Sequence, residues 1–277
     1  MRHYDLSCET VILAVAPSTD GKRSLQGKNR FMSLSHIRII LLHPTHPGNI
    51  GGVARAMKNM CLDNLVLVSP CEFTDGAATA RAAGAGDVLN RAQICTTLDD
   101  ALEGCQLVVG TSARSRTIAW PTLTPSDAAQ RLVVEAIAAP VALLFGPERT
   151  GLTNEQLDRC HYLVSIPANP EFSSLNLACA VQVMAYELWQ AASGSNMLAE
   201  EGAGDDASPL ASADDVQRLY RHMEEVLVQI QFLDLENPRR LMRRLTRLYN
   251  RARLDNNELN ILRGILTAVQ QGWPSKS

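Results

Sequence analysis

The stretch Asn169-Pro170-Glu171-Phe172-Ser173-Ser174-Leu175-Asn176 lies between two apolar segments of different character. The run before it, residues 162–166, has the length of a buried strand, whereas residues 181–192 have the length and composition of an apolar helix. Ser174 and Asn176 therefore fall in a strand-to-helix turn. Backbone N–H groups and short polar side chains in such a turn can bind a small polar ligand.

Two earlier segments interrupt the chain in the same way. Residues 48–55 follow the apolar run 37–42, and residues 146–152 follow the apolar run 141–145. Each segment combines glycine with a polar or charged residue just after a strand. Because the carboxyl ends of parallel strands meet at one edge of a sheet, the three segments predict one shared site at that edge.

The rest of the chain alternates between short apolar runs and helical patterns. The predicted strands are residues 37–42, 65–68, 107–109, 141–145 and 162–166. Helical stretches, such as residues 126–138, fill the gaps between them. Near-continuous apolar strands that alternate with helices indicate a mostly parallel sheet covered on both faces. The predicted fold class is therefore α/β.

Composition divides the chain into four parts. Residues 1–35 show no apolar periodicity, so we expect them to lie outside the fold, either because Met32 is the natural start or because they form a flexible leader. The α/β domain is expected over residues 36–193, followed by an acidic linker over 194–213. Residues 214–277 contain three amphipathic patterns and predict a small helical domain.

The net charge of −3 conceals two segments of opposite charge. Residues 191–217 carry six acids and no base, whereas residues 239–253 carry seven arginines and no acid. Arginines in such a run repel one another unless an anion lies nearby. A polyanion or the acidic linker is therefore expected to compensate them.

Cysteine usage and hydropathy indicate the compartment. The seven cysteines are scattered and include no CxxC pair, a pattern typical of reduced thiols in the cytosol. No apolar run approaches the ~20 residues that span a bilayer. Residues 11–16 form an apolar run too short for a signal peptide. We expect a cytoplasmic protein that has no membrane partner.

Common nucleotide and metal motifs do not occur in the sequence. The turn after the first strand contains Gly48, Gly51 and Gly52 but not Gly-x-Gly-x-x-Gly, and there is no Gly-x-x-x-x-Gly-Lys-Ser/Thr loop. His43 and His46 lie in a proline-bounded loop without Cys or carboxylate partners nearby. Two loop histidines are favoured over a metal site by about ten to one on that missing ligand set. We expect no metal.

The order and spacing of the three segments resemble the motifs of the knotted SPOUT methyltransferases. The matching residues are Asn49 and Arg55 in the first motif, Gly146 and Glu148 in the second, and Ser174 and Asn176 in the third. The resemblance covers residues 37–192 and, more weakly, the C-terminal helices. It implies a parallel sheet with a C-terminal trefoil knot. It also implies methyl transfer from S-adenosylmethionine to ribose 2′-hydroxyls of RNA.

Two further stretches resemble a narrower subfamily, the tRNA 2′-O-methyltransferases of the TrmJ type. They are residues 109–114, Val-Gly-Thr-Ser-Ala-Arg, and residues 169–172, Asn-Pro-Glu-Phe. The resemblance implies that the target is a cytidine or uridine at nucleotide 32 of the tRNA anticodon loop. Two alternatives stay open: a ribosomal RNA 2′-O-ribose methyltransferase, and a non-catalytic RNA-binding protein that has kept the fold.

The resemblance also implies catalytic roles for Arg55, Ser174, Asn49 and Glu148. Arg55 is expected to face the target ribose. A charged guanidinium has no acceptor atom, so we interpret Arg55 as a donor that fixes the ribose or its phosphate and stabilises the developing alkoxide. Glu148 is expected to orient Arg55 or backbone donors.

Cofactor and RNA contacts follow from the same resemblance. S-adenosylmethionine is expected to contact Thr111, Ser112, Ala113, Gly146, Ile166, Ser173, Ser174, Leu175 and Asn176. Positively charged side chains beside the site and on the C-terminal helices can bind RNA phosphate. The expected RNA-binding residues are Arg114, Arg116, Arg243, Arg244 and Arg247.

Apolar positions on two helices suggest that the active unit is a homodimer. These positions are Val53, Met57 and Met60 after the first motif, and Val181, Met184 and Ala185 after the third. One side of a single sheet requires less apolar surface than this, so a two-fold pairing of the helices is expected to bury the excess. In the related family such pairing brings the arginine of the first motif near the partner's cofactor.

Overall fold

The computed structural model describes residues 33–71, 76–112, 120–194, 208–236, 238 and 240–272. Its strands are β1 (Ile37–Leu42), β2 (Leu65–Val68), β3 (Gln93–Cys95), β4 (Leu107–Thr111), β5 (Thr122–Leu123), β6 (Val141–Phe145) and β7 (Tyr162–Val164). Five of them correspond to predicted strands, although β7 ends two residues before the predicted Ile166. The short strands β3 and β5 were not predicted, because two or three residues carry too little apolar pattern.

The strands form one sheet in which every pairing is parallel. Their order across the sheet is β3-β2-β1-β6-β4-β7-β5. This confirms the predicted α/β class with a parallel sheet. Because β1, β6, β4 and β7 are consecutive neighbours, the loops that follow them lie side by side at the carboxyl edge.

Helices cover both faces of the sheet and form a separate bundle at the C-terminal end of the chain. They are α1 (Pro47–Asn59), α2 (Gly76–Ala82), α3 (Gly86–Asn90), α4 (Leu98–Leu102), α5 (Pro125–Glu135), α6 (Asn154–Leu157), α7 (Leu177–Ala192), α8 (Ala213–Gln229), α9 (Leu241–Ala252) and α10 (Asn256–Gly272). None of the helices in the described ranges is long and apolar enough to cross a membrane.

Alternate side chains of each central strand pack into two apolar layers, one on each face of the sheet. In β1, Ile39 and Leu41 pack with α1, α5 and α7, whereas Ile40 and Leu42 pack in the layer that contains α4 and α6. Both layers are fully buried at the strand centre. The sheet is therefore a rigid platform for the loops at its carboxyl edge.

Helix α7 lies between α1 and α5 and contacts both. Val53, Met57, Val181, Met184 and Ala185 are fully buried there, inside one chain, and Met60 is partly buried against the same cluster. The prediction that these residues form a dimer surface was wrong. The sequence has more apolar surface than one face of the sheet can cover. Helix α7 buries the excess by packing against both α1 and α5.

The fold begins earlier than the predicted boundary at residue 36. Leu34 is fully buried in the main core and lies in a short 3-10 helix, Leu34–His36. The His36 ring nitrogen Nδ1 lies 2.8 Å from the Ala136 carbonyl oxygen. Residues 33–35 are thus part of the α/β domain and not of a leader. A single buried leucine carries no periodicity, which is why the pattern missed it.

The predicted linker likewise ends before residue 213. Leu210 forms an antiparallel bridge with Asp255, and the Ala211 N–H donates to the Leu254 carbonyl over 2.9 Å. These contacts tie the entry of α8 to the turn before α10. The bundle has its own small core, in which Leu219 and Met223 of α8 pack with Leu259 of α10.

The bundle docks on the amino edge of the sheet through polar contacts. Arg243 of α9 pairs with Asp158 over 2.9 Å, and Arg253 pairs with Glu135 of α5. Asn250 donates through Nδ2 to the carbonyl oxygens of Asp158 and Cys160, at 3.2 Å each. Two arginines of the basic run therefore have acidic partners in the α/β domain.

Candidate functional site

The candidate site lies at the carboxyl edge, where four loops meet. Residues 43–46 follow β1, Ser112 follows β4, residues 146–152 follow β6, and residues 165–176 follow β7. The three predicted segments are brought together because their strands are close neighbours in the sheet. Ligands of open α/β sheets bind at such an edge.

Gly146 sets the shape of the loop after β6. A Cβ at this position would lie 2.3 Å from the Gly151 carbonyl carbon and 2.4 Å from the Leu152 nitrogen. Only glycine permits this close backbone approach. Gly151 adopts φ of +66°, and its N–H donates to the Pro147 carbonyl over 2.9 Å. The loop thus folds back on itself and leaves an open cleft beside it.

The cleft contains about 870 Å³ of empty space, part of it open to solvent. Seven of the nine predicted cofactor residues line it: Thr111, Ser112, Gly146, Ile166, Ser173, Ser174 and Leu175. Asn176 is not part of the lining, and Ala113 lies outside the described residues. Phe145, Leu152 and Leu177 add apolar walls that were not predicted.

Glu148 holds the first two loops together. Its carboxylate accepts the Asn49 Nδ2–H over 2.9 Å and the Thr45 hydroxyl over 2.9 Å. The Thr45 backbone N–H donates to the same carboxylate over 3.2 Å. Of the two roles expected for Glu148, the orientation of a backbone donor is observed at Thr45. Arg55 is not among its described side-chain partners, which are Asn49 and Thr45. Thr45 was missed, since nothing in the sequence links it to a residue more than a hundred positions away.

Asn49 extends this network to the third loop. Its Oδ1 accepts the Asn176 Nδ2–H over 3.0 Å, and Asn176 Oδ1 in turn accepts the Ala178 N–H over 2.9 Å. Asn176 is therefore the N-cap of α7 as well as the link to the first motif. Glu148, Asn49 and Asn176 form one chain of hydrogen bonds, which we call the motif network.

The motif network stabilises the ionised form of Glu148. Burial opposes the charge on the carboxylate, but the hydrogen bonds from Asn49, Thr45 and the local backbone outweigh this effect. The pKa of Glu148 consequently lies below its ordinary value. An ionised carboxylate is an acceptor only, so it fixes the orientation of the Asn49 amide.

Arg55 is exposed on α1, and no residue that the structure describes forms a hydrogen bond or an ion pair with its guanidinium. A Cβ on Gly52 would lie 3.0 Å from the Ala178 Cβ, so α1 and α7 approach closely at this point. Arg55 lies three residues further along α1 and therefore on the same side of that helix. Its side chain is available to a ligand.

Other predicted residues have different surroundings. His46 caps α1 through Nδ1, which accepts the Gly48 N–H over 3.0 Å. Arg114 and Arg116 lie outside the described residues. Arg244 is exposed, whereas Arg247 is half-buried and its Nε has no partner among the described residues. Arg243 is engaged with Asp158, so its predicted role in RNA binding competes with a structural one.

Two exposed residues beside the cleft were not predicted. Arg149 lines the cleft and is exposed. Phe172 is 78% exposed, and the N–H of its backbone donates to the Asn169 carbonyl over 2.9 Å. An aromatic side chain so exposed beside a cleft is available for contact with a large ligand. In the sequence, Phe172 was noted only as part of the Asn-Pro-Glu-Phe run that resembles the subfamily, and no contact was predicted for its side chain.

Comparison with protein families covers most of the chain. A family model described as the SpoU rRNA Methylase family matches residues 36–186. A second model, described as the C-terminal domain of tRNA methyltransferase TrmJ, matches residues 214–276.

Individual relatives agree with these matches. The tRNA (cytidine/uridine-2′-O-)-methyltransferase TrmJ of Citrobacter koseri is 52% identical over 241 residues, which are 86% of this chain and 98% of that one. The protein of the same name from Cronobacter sakazakii is 52% identical over 243 residues, 88% of this chain and 99% of that one.

Solved structures have the same fold. The crystal structure of TrmJ from Z. mobilis has a TM-score of 0.72 at 33% identity, over 84% of this chain and 98% of that one. A probable methylase family protein from Haemophilus influenzae has a TM-score of 0.56 at 41% identity, over 86% of this chain and 97% of that one.

Proposed function

Because the chain belongs to the SpoU methylase family and carries the C-terminal domain of the TrmJ tRNA methyltransferases, we propose that it 2′-O-methylates the ribose of a cytidine or uridine in tRNA. The proposed methyl donor is S-adenosylmethionine, and the proposed target is nucleotide 32 of the anticodon loop. The motif network carries the proposal, since it joins the three motif loops beside a cleft that seven of the nine expected cofactor residues line.

The residues of the cleft fit the proposed cofactor. Apolar walls from Phe145, Leu152 and Leu177 suit an adenine ring, and the glycine at position 146 lets a ligand approach the backbone closely. Hydroxyls of Ser173 and Ser174 suit the polar ends of the molecule. The cofactor supplies a methyl group that its sulfonium has already activated. The task of the protein is then in-line positioning, for which we expect no metal.

Arg55 is the proposed group on the ribose side. Its exposed guanidinium can donate to the 2′-oxygen or to the adjacent phosphate and can stabilise negative charge as the oxygen attacks. A charged guanidinium cannot accept a proton, so the hydroxyl proton passes to solvent or to an RNA phosphate. Ser174 lines the cleft and is assigned to hold the cofactor against that oxygen. Glu148 and Asn49 act as positioning residues that fix the loops.

RNA is proposed to contact the protein at two places, beside the cleft and on the helical bundle at the amino edge of the sheet. Arg114 and Arg116 are assigned to phosphates next to the site, and Arg244 and Arg247 to phosphates on the bundle. Phe172, at the rim, is assigned to stacking on a base of the anticodon loop. A tRNA substrate also implies that the protein works in the cytoplasm.

A homodimer remains part of the proposal, on a different surface from the predicted one. Cys179, Val183 and Tyr186 lie at helical spacing on the side of α7 that faces away from the core, and Tyr186 is 46% exposed. Pairing of two copies there would place Arg55 near the partner's cleft, because α1 lies against the start of α7. Recovery of activity on mixing Arg55→Ala with Ser174→Ala chains is the expected result. Two inactive variants that stay inactive together would exclude a shared site.

The trefoil knot is also proposed. The chain leaves β7 through residues 165–176 and returns as α7 between two helices that precede it in sequence. This course is compatible with the threading that a knot requires, although knots are rare.

The direct test is to incubate the protein and labelled S-adenosylmethionine with total RNA from a strain that lacks it. Label at the ribose of nucleotide 32 in tRNA is the expected result. Label in ribosomal RNA would favour the first alternative. Cofactor binding by calorimetry without label in any RNA would favour the non-catalytic alternative.

A further inference from the structure

A second cavity lies in the seam between the α/β domain and the bundle, far from the motif network. It contains about 500 Å³ of empty space, part of it open to solvent. Helix α4, the turn before β7 and the first turns of α8 line it. Leu102, Ala213 and Val216 form its apolar wall. Because this cavity is at the amino edge of the sheet, the proposed methyl transfer does not use it.

His161 lines this cavity and is only 6% exposed. Its Nδ1 accepts the Val108 N–H over 3.0 Å. Burial, together with the nearby Arg253 charge, lowers the pKa of His161 to about 3, so the ring is neutral at ordinary pH. A neutral imidazole that accepts at Nδ1 carries its proton on Nε2. No residue within the described ranges accepts that Nε2–H.

The neighbouring polar groups are already satisfied. Asn250 uses Nδ2 on two carbonyl oxygens, and its Oδ1 accepts the Tyr220 hydroxyl over 2.6 Å. Asp99 is paired with Arg159 over 2.9 Å. Asp214 accepts the Gly104 N–H over 3.3 Å and pairs with Arg218. Both carboxylates therefore have cationic partners of their own.

The groups without such partners are donors. Gln217 and Arg221 line the cavity four residues apart on α8, and so on one face of that helix. Neither side chain has a hydrogen bond or an ion pair with any residue that the structure describes. Together with His161 they offer two neutral donors and one cation, the donor set that recognises an oxyanion.

We propose that this seam cavity binds a phosphate group, to which His161 Nε2–H and the Gln217 amide donate and whose charge Arg221 neutralises. The phosphate belongs either to inorganic phosphate or a small phosphorylated molecule, or to the backbone of the RNA substrate. Because its walls come from both domains, an occupied cavity would hold the bundle against the sheet. The site would thus link ligand binding to bundle docking.

Calorimetric titration of the whole protein with inorganic phosphate, at constant ionic strength, tests the first source. Saturable binding is expected, with the melting temperature rising with phosphate concentration. Arg221→Gln should weaken binding by about 10- to 100-fold, since it removes a charge-assisted contact. Gln217→Glu should weaken it as well through charge repulsion. Arg251→Gln removes an equal charge from an exposed position on α9 and should leave phosphate affinity unchanged.

Binding of tRNA by the same variants tests the second source. If free phosphate does not bind but Arg221→Gln and Gln217→Glu both weaken tRNA binding and lower its salt slope by about one unit, the phosphate is that of the RNA. If phosphate binds equally well to wild type and Arg221→Gln, or if neither ligand responds to these substitutions, the proposal is wrong. Cofactor binding should be unchanged in both variants, which separates this outcome from failure of the methyltransferase proposal.

Discussion

The two edges of the sheet use arginine in opposite ways. At the carboxyl edge Arg55 is exposed and unpaired among the described residues, beside a hydrogen-bonded network that does not include it. At the amino edge Arg253 is only 13% exposed and is paired with Glu135, which is 22% exposed. A free cation beside a cleft is available to a ligand, whereas a paired and buried one holds two parts of the chain together. Sequence alone presents both as isolated basic residues.

The largest effect is expected where the arginine is free. Arg55→Ala should reduce kcat for methyl transfer by about 100- to 1000-fold, because it removes the proposed donor to the reacting oxygen. Affinity for S-adenosylmethionine, measured by calorimetry, should stay nearly intact. Lys58→Ala, also exposed on α1, is the control. Equal loss of cofactor binding and turnover would place Arg55 on the cofactor side.

At the seam the expected effect is on stability. Arg253→Gln leaves the half-buried Glu135 without its partner and should lower the free energy of unfolding by about 2 kcal/mol. The more exposed pairing of Arg218 with Asp214 and Asp215 serves as the control, since Arg218→Gln should cost no more than about 1 kcal/mol. Urea unfolding of both variants measures the difference. A similar loss for both would show that burial does not distinguish the two pairs.

These contrasts explain what the sequence could and could not predict. The turns after β1, β6 and β7 were predictable because glycine and short polar residues after apolar runs have local causes. The contact between Thr45 and Glu148 was not predictable, since only the order of the strands in the sheet brings the two residues together. The same holds for Arg243, whose partner Asp158 lies in another domain. Contacts between distant segments leave no local pattern.

The motif network predicts a smaller effect that depends on pH. The pKa of Glu148 is lowered in the fold from an ordinary 4.5. Its stabilising contribution is therefore present above that value and is lost as the pH falls through the lowered pKa. Glu148→Gln should be less stable than wild type near about pH 7, and the difference should shrink toward about pH 3. Thermal unfolding across this range measures it. If the stability difference between wild type and Glu148→Gln did not change with pH, the charge of Glu148 would not be the source of its stabilising contribution.

The smallest expected effects distinguish two neighbouring arginines of α9, Arg243 and Arg244. Arg244→Ala should lower the salt slope of tRNA binding by about one unit and leave stability unchanged, because its side chain is exposed. Arg243→Ala should instead lower stability, since it breaks the pair with Asp158. Binding titrations at several salt concentrations, with unfolding curves for the same proteins, compare them. Identical behaviour of the two variants would remove the distinction between free and paired arginines.

The proposal that the cleft at the carboxyl edge directs a methyl group to the ribose 2′-hydroxyl of nucleotide 32 can be tested directly. The most direct measurement uses two synthetic tRNAs that differ only in carrying ribose or 2′-deoxyribose at that nucleotide. Single-turnover assays with labelled S-adenosylmethionine should show transfer to the first and none to the second, while both bind with similar affinity. Equal labelling of the two tRNAs would contradict the claim.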